Sequence, residues 1–269
     1  MNIDQVRQPV FFVSHGGGPW PWIDTLKKQY VELERSLSQI LESLVKQPKA
    51  ILMISAHWEE SVFTVQGAER PTMLYDYSGF PRDTYEIKYT SSGSRDLSTR
   101  IVDILKAAHI DVAIDMSRGY DHGMFAPMQV INPKADIPVV QLSLKKGLDP
   151  ITHIELGRQL AALRDENILI IASGLTYHNL AHFNFTAEKQ SALFDDWLGN
   201  TLLNHEGQSR NMLLCDWKQA PAARFAHPRE EHLLPIMVAV GAAENEKARR
   251  NYHETNFLGG IHVSGFMFG

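Results

Sequence analysis

Imidazole is the commonest metal ligand among the side chains and the usual acid–base group near neutral pH. The chain carries twelve histidines, and six of them sit in short motifs. His15 lies in Ser-His-Gly-Gly-Gly, His57 in Ile-Ser-Ala-His-Trp and His122 in Tyr-Asp-His-Gly. His178 lies in Leu-Thr-Tyr-His-Asn-Leu, and His227 and His232 lie in His-Pro-Arg-Glu-Glu-His. His15 and His57 each follow a short apolar run, and His178 follows a third across Gly174. The glycines after His15 permit close approach of backbone to a ligand. Neither phosphate-loop pattern, Gly-x-x-x-x-Gly-Lys-[Ser/Thr] or Gly-x-Gly-x-x-Gly, is present. His232 stands where an apolar helical pattern (Leu233, Leu234, Ile236, Met237, Val240) begins behind an acidic turn. The other histidines, His109, His153, His182, His205, His253 and His262, have no motif and read as structural. His227 is intermediate, and equally able to brace the helix that follows it.

Positioning those residues falls to five apolar runs that read as buried strands, 9–14, 50–55, 112–115, 137–144 and 167–173. Helical spacing recurs between and after them, over 22–45, 97–108, 153–163, 191–204 and 231–243. The terminal stretch 261–268 can return as a further strand. Such alternation predicts a single α/β domain over 1–269, with a central largely parallel or mixed sheet flanked by helices. Ligands bind beyond the carboxyl ends of strands in open α/β sheets. His15, His57 and His178 would converge there, joined by His232 from the helix start. The Pro-, Gly- and Tyr-rich stretch 71–93 is the longest irregular region, and loops of that length are often functional.

Composition bounds the remaining choices. At 269 residues, 44% hydrophobic and 21% charged, the chain can bury a full core. A formal charge of −5 argues against nucleic-acid binding through a broad basic surface. The single cysteine, Cys215, excludes an intramolecular disulfide and fits a reducing compartment. No apolar run approaches a membrane span, and the polar first residues lack a signal-peptide core. The expectation is a cytoplasmic protein, either monomer or homodimer.

Taken together, the motifs resemble a known family, the class III extradiol ring-cleavage dioxygenases of the protocatechuate 4,5-dioxygenase type, and within it the DOPA 4,5-dioxygenase-like subgroup. The matching blocks run in family order from about residue 11 to residue 240. They are Phe-Phe-Val-Ser-His-Gly-Gly-Gly-Pro, Ile-Ser-Ala-His-Trp, Tyr-Asp-Tyr-Ser-Gly-Phe-Pro, Gly-Tyr-Asp-His-Gly-Met-Phe-Ala-Pro, Ile-Pro-Val-Val-Gln-Leu-Ser-Leu, Ser-Gly-Leu-Thr-Tyr-His-Asn-Leu and Pro-Arg-Glu-Glu-His-Leu-Leu-Pro. The resemblance implies that His15, His57 and His232 are metal ligands, with Glu231 the alternative third ligand one position away. His178 falls on the family's acid–base histidine, or serves as a fourth ligand in a zinc-loaded form. His122 matches a second active-site histidine facing substrate or oxygen.

What the resemblance implies is opening of a small catechol by O₂. Three ligands on one face leave open positions for both reactants. Iron(II) is the expected catalytic metal because zinc has no redox chemistry, although imidazoles bind zinc well. Tyr75, Phe80, Tyr120 and Phe125, with Tyr77 and Tyr177, would wall the ring pocket or else belong to the core. Arg82 or Arg118 would either pair with a substrate carboxylate or lie in solvent. Asp121 would either orient His122 or cap a turn. The chain departs from the family in Gly-Gly-Gly-Pro after the first histidine, and 184–224 matches no family block. A zinc hydrolase and a non-catalytic metal-binding protein are the alternatives; His-Glu-x-x-His and Gly-x-Ser-x-Gly are both absent.

Overall fold

The computed structural model describes residues 6–269. One eight-stranded sheet organises them: β1 (Val10–Ser14), β2 (Ala50–Glu60), β3 (Phe63–Gln66), β4 (Val112–Asp115), β5 (Val139–Lys145), β6 (Ile168–Gly174), β7 (Ala248–Phe257) and β8 (Ile261–Phe268). Their order is β4-β3-β5-β2-β6-β1-β8-β7. The centre is parallel, with β2 between β5 and β6 and β6 beside β1. The β7–β8 hairpin adds antiparallel strands against β1. Every residue of β1 and β6 is buried, which explains their unbroken apolar sequences. The expected α/β sheet is therefore present, mixed and mostly parallel.

The helices are α1 (Asp24–Lys27), α2 (Val31–Glu42), α3 (Arg95–Ala107), α4 (His122–Ile131), α5 (Pro150–Leu160), α6 (Glu188–Asn204), α7 (Gly207–Cys215), α8 (Ala223–Ala226) and α9 (Leu234–Ala242). Three departures from the sequence reading have local causes. The long helix expected over 22–45 is broken at Lys28–Tyr30 into α1 and α2. Secondly, α9 starts two residues after His232, because Pro235 lacks an N–H and is suited to the first turn. His232 thus lies in the turn before the helix. Finally, α4 was not anticipated, since Gly123 and Pro127 disguise it. Pro127 cannot bond the Gly123 carbonyl four residues back, and the Ser173 hydroxyl from β6 donates to that oxygen instead.

Candidate metal centre and active site

Three neighbouring parallel strands end on the same edge of the sheet, and each delivers a histidine. His15 leaves β1 with its N–H donating to the Gly174 carbonyl (3.2 Å) at the end of β6. Its turn needs Gly16, at φ +74°, where a Cβ would lie 2.5 Å from the Trp20 indole. That indole donates to the His15 carbonyl (2.7 Å). His57 lies within β2, which runs on to Glu60 beyond the expected end. The β2–β5 register shifts between Ile54 and Glu59, an irregularity of the kind that re-aims side chains beside functional sites. His232 is held from the opposite side, its carbonyl accepting from Leu175 N (3.0 Å).

The Nε2 atoms of His15 and His57 are 3.4 Å apart, and those of His57 and His232 are 3.2 Å apart. The three ring centroids form a nearly equilateral triangle of 4.9, 4.9 and 5.1 Å. Two nitrogens on one metal at about 2.1 Å lie roughly 3.0–3.4 Å apart, so both separations suit donors to a single ion. In each ring the other nitrogen already has an acceptor. His15 Nδ1 faces the Gly16 carbonyl (2.6 Å), His57 Nδ1 the Asp76 carboxylate (3.1 Å) and His232 Nδ1 the Glu231 carboxylate (3.0 Å). A carbonyl only accepts, so His15 must carry its proton on Nδ1, leaving an Nε2 lone pair turned to the centre. Burial, then the neighbouring His57, holds His15 well below the ordinary imidazole pKa. For His232 burial and then His178 do the same.

His122 and His178 complete the ring of imidazoles. His122 begins α4, 4.0 Å from His57 between ring centroids. Its Nδ1 faces Asp76 Oδ1 (2.8 Å), and its backbone N–H donates to the same oxygen (3.0 Å). Asp76 was missed in the sequence reading: it arrives from the distant 71–93 loop and takes the role considered for Asp121. Asp121 instead caps α4 and accepts from Ser55 Oγ (2.7 Å), Gln141 Nε2 (2.8 Å) and Arg118 (3.1 Å). Burial disfavours an ionised Asp76, but hydrogen bonds from His122 and His57 outweigh it and hold the carboxyl well below its usual range. Burial, then His57, lowers His122 despite Asp76. Gly123 is obligatory beside them, since a Cβ there would lie 2.6 Å from Ser55 Oγ and 2.8 Å from the His57 ring.

His178 stacks on His232, with ring centroids 3.4 Å apart and planes 19° from parallel. Its loop is clamped by α8, through His178 N–H to the Ala226 carbonyl (2.9 Å) and Asn179 Nδ2 to the Phe225 carbonyl (2.7 Å). Fully buried His227 donates from Nε2 to the Thr176 carbonyl (2.9 Å), with Phe194 and Trp217 packed against its ring. Through Phe194 and Trp217 the region 184–224 therefore underpins the His178 loop. His227 braces that loop rather than entering the donor cluster.

Beside the imidazoles, Tyr75, Tyr77 and Phe80 from the long loop pack over Phe125 of α4, which is itself fully buried in the core. Tyr77 lies 5.9 Å from His122, 5.3 Å from Phe80 and 6.3 Å from Phe125. Tyr120 is not part of this wall. It is fully buried, its hydroxyl donating to the Val139 carbonyl (2.8 Å) of β5. Tyr177 is likewise a core residue. Arg118 is engaged by Asp121, by the His57 carbonyl (3.2 Å) and by the Trp58 ring, so it is not free to meet a substrate; Arg82 is exposed.

Residues 9–267 match the family model described as the catalytic LigB subunit of aromatic ring-opening dioxygenase. The chain belongs to that family. It is 40% identical to the 4,5-DOPA dioxygenase extradiol of Beta vulgaris, over 91% of this chain and 90% of that one. It is 32% identical to the Escherichia coli K12 protein of the same name, over 91% and 89%. Identity to the dioxygenase tasH of Hapsidospora irregularis is 35%, over 93% and 82%. The crystal structure of an uncharacterized E. coli K12 protein superposes with a TM-score of 0.79 at 28% identity, covering 98% of this chain and all of the other. The LigB-family chain is thus an extradiol dioxygenase, with a catecholic substrate and O₂ as reactants and a non-haem metal in its chemistry. The hydrolase and non-catalytic readings give way. No helix among the described residues is long and apolar enough to cross a membrane.

Proposed function

We propose that the protein opens the ring of a DOPA-like catechol at an iron(II) centre held by His15, His57 and His232, with His178 as the proton acceptor. The observation that carries this reading is the near-equilateral arrangement of three imidazoles, each with Nδ1 already engaged. Donor nitrogens of His122 also approach those of His15 and His57 within 4.8 Å. The His15–His57–His232 set is preferred because adjacent Nε2 atoms meet at chelating separations. The substrate class comes from the relatives named for 4,5-DOPA cleavage.

Iron(II), when bound, would acidify the catechol hydroxyls and exchange electrons with O₂. The chain's own groups supply the rest. His178 lies against His232, where its Nε2 can take a hydroxyl proton and later return it, since imidazole does both near neutral pH. His122 and Tyr77, with Phe80 beside it, flank the other side and would hold the ring's apolar face. The burial of His15 and His232 keeps them neutral and available as donors.

The test is a catechol panel containing DOPA, protocatechuate and homoprotocatechuate, given to anaerobically iron-loaded protein before O₂ is admitted. DOPA is expected to give oxygen uptake and a yellow ring-opened product, with no turnover in the zinc-loaded control. Absence of uptake across the panel at verified iron occupancy would contradict the proposal.

A further inference from the structure

We propose that Glu231 is a positioning residue joining the metal site to the proton acceptor, because one of its carboxylate oxygens holds the Nδ1–H of both His232 and His178. This rests on the roles given above to His232 and His178. Glu231 Oε1 is 3.0 Å from His232 Nδ1 and 3.1 Å from His178 Nδ1. The two rings are stacked and nearly parallel. With both Nδ1 atoms engaged by one oxygen, Nε2 is the nitrogen that each ring leaves for the site. An ionised carboxylate only accepts. Each ring must therefore carry its proton on Nδ1 and turn a lone pair toward the centre. On His232 that lone pair binds metal; on His178 it accepts a proton from bound catechol.

Glu231 is itself fixed from outside. Arg229 reaches its second oxygen (3.3 Å) and is anchored by Glu59 on β2 (2.6 and 2.5 Å). The Glu231 side chain is only 13% exposed. The arrangement recurs across the site, where Asp76 joins His57 to His122 through its two oxygens. Each imidazole outside the three-ligand set thus shares a carboxylate with one inside it. Without Glu231, the His178 ring would be free to turn over or to move its proton to Nε2. Either change presents an N–H where a lone pair is needed.

The decisive comparison is wild type with Glu231→Gln, both as full-length protein. Long-range ¹H–¹⁵N NMR of the metal-free forms is expected to show Nδ1–H tautomers at His178 and His232 in wild type and a mixture in the variant. Chelator competition with zinc should show affinity weakened about 10- to 100-fold. At matched iron occupancy kcat should fall while KM stays within about threefold, a split that loss of packing would not produce. Unchanged tautomers and unchanged zinc affinity in the variant would overturn the proposal. So would Nε2–H at His178 in wild type, a result obtainable even if the variant fails to fold. A wild type that opens no catechol would sink the functional reading alone, since the tautomers and zinc affinity still decide the role of Glu231.

Discussion

Asp76 reaches the site from a loop far away in sequence and divides its two oxygens between His57 and His122. Asp76→Asn keeps the shape but removes the charge and one acceptor. Metal affinity or turnover is expected to drop about 10- to 100-fold, measured by chelator competition and oxygen uptake; a change under twofold would show that the carboxylate is not orienting the rings. His178→Ala removes the proposed proton acceptor while leaving the proposed ligands in place. We expect kcat to fall by about 10²- to 10⁴-fold with iron content unchanged. Intact ring cleavage would remove His178 from the mechanism, and loss of iron would make it a ligand. The histidines were legible because His15, His57 and His178 follow apolar runs, His122 precedes a glycine, and His232 opens an apolar helical pattern. Asp76 was not, since nothing local marks an aspartate between two tyrosines as the partner of rings on β2 and α4. Tyr120 misled for the opposite reason: it shares the His122 motif, yet its hydroxyl turns into the core.

At the level of elements, legibility followed unbroken apolar sequence rather than burial alone: the largely exposed edge strand β4 was read, while the short, fully buried β3 was not. Strands β1 and β6 are continuous apolar runs and were read nearly to their ends. Strand β7 was not anticipated, because the sequence Ala-Arg-Arg-Asn-Tyr-His-Glu-Thr-Asn-Phe faces solvent at the sheet edge with charged residues. Helix α4 escaped notice through Pro127, whose missing hydrogen bond is replaced across elements by Ser173. Ser173→Ala would strand the Gly123 carbonyl without a donor. Stability should fall by about 1–3 kcal/mol in urea titrations, with metal binding weakened because α4 carries His122 and packs Gly123 against His57. Equal stability of variant and wild type would show that the Gly123 carbonyl finds another donor.

The whole molecule stores many neutral imidazoles in its interior, and this sets its response to acid. His153 and His227 are fully buried, and burial lowers both to about 4. The Lys145 N–H donates to His153 Nε2 (3.2 Å), a bond that protonation would break. An unfolded chain takes up protons at these sites below about pH 6.5, whereas the native state resists until about 4. Their contribution is therefore complete above 6.5 and is lost as pH falls. Between about pH 7.5 and about pH 5 the metal-free protein should lose roughly 2 kcal/mol for each group, read from urea midpoints. Stability that stays flat or rises over that range would contradict this account of the core.

In the mechanism proposed above, three imidazoles, His15, His57 and His232, hold one catalytic iron. The measurement to make is to titrate iron(II) anaerobically into metal-free protein and follow ring-opened product after O₂ is admitted. Activity should rise in proportion to iron and level off at one equivalent per chain, and His57→Ala and His232→Ala should each abolish both tight binding and turnover. Ring opening that ignores iron occupancy, or tight stoichiometric binding that survives both substitutions, would contradict it.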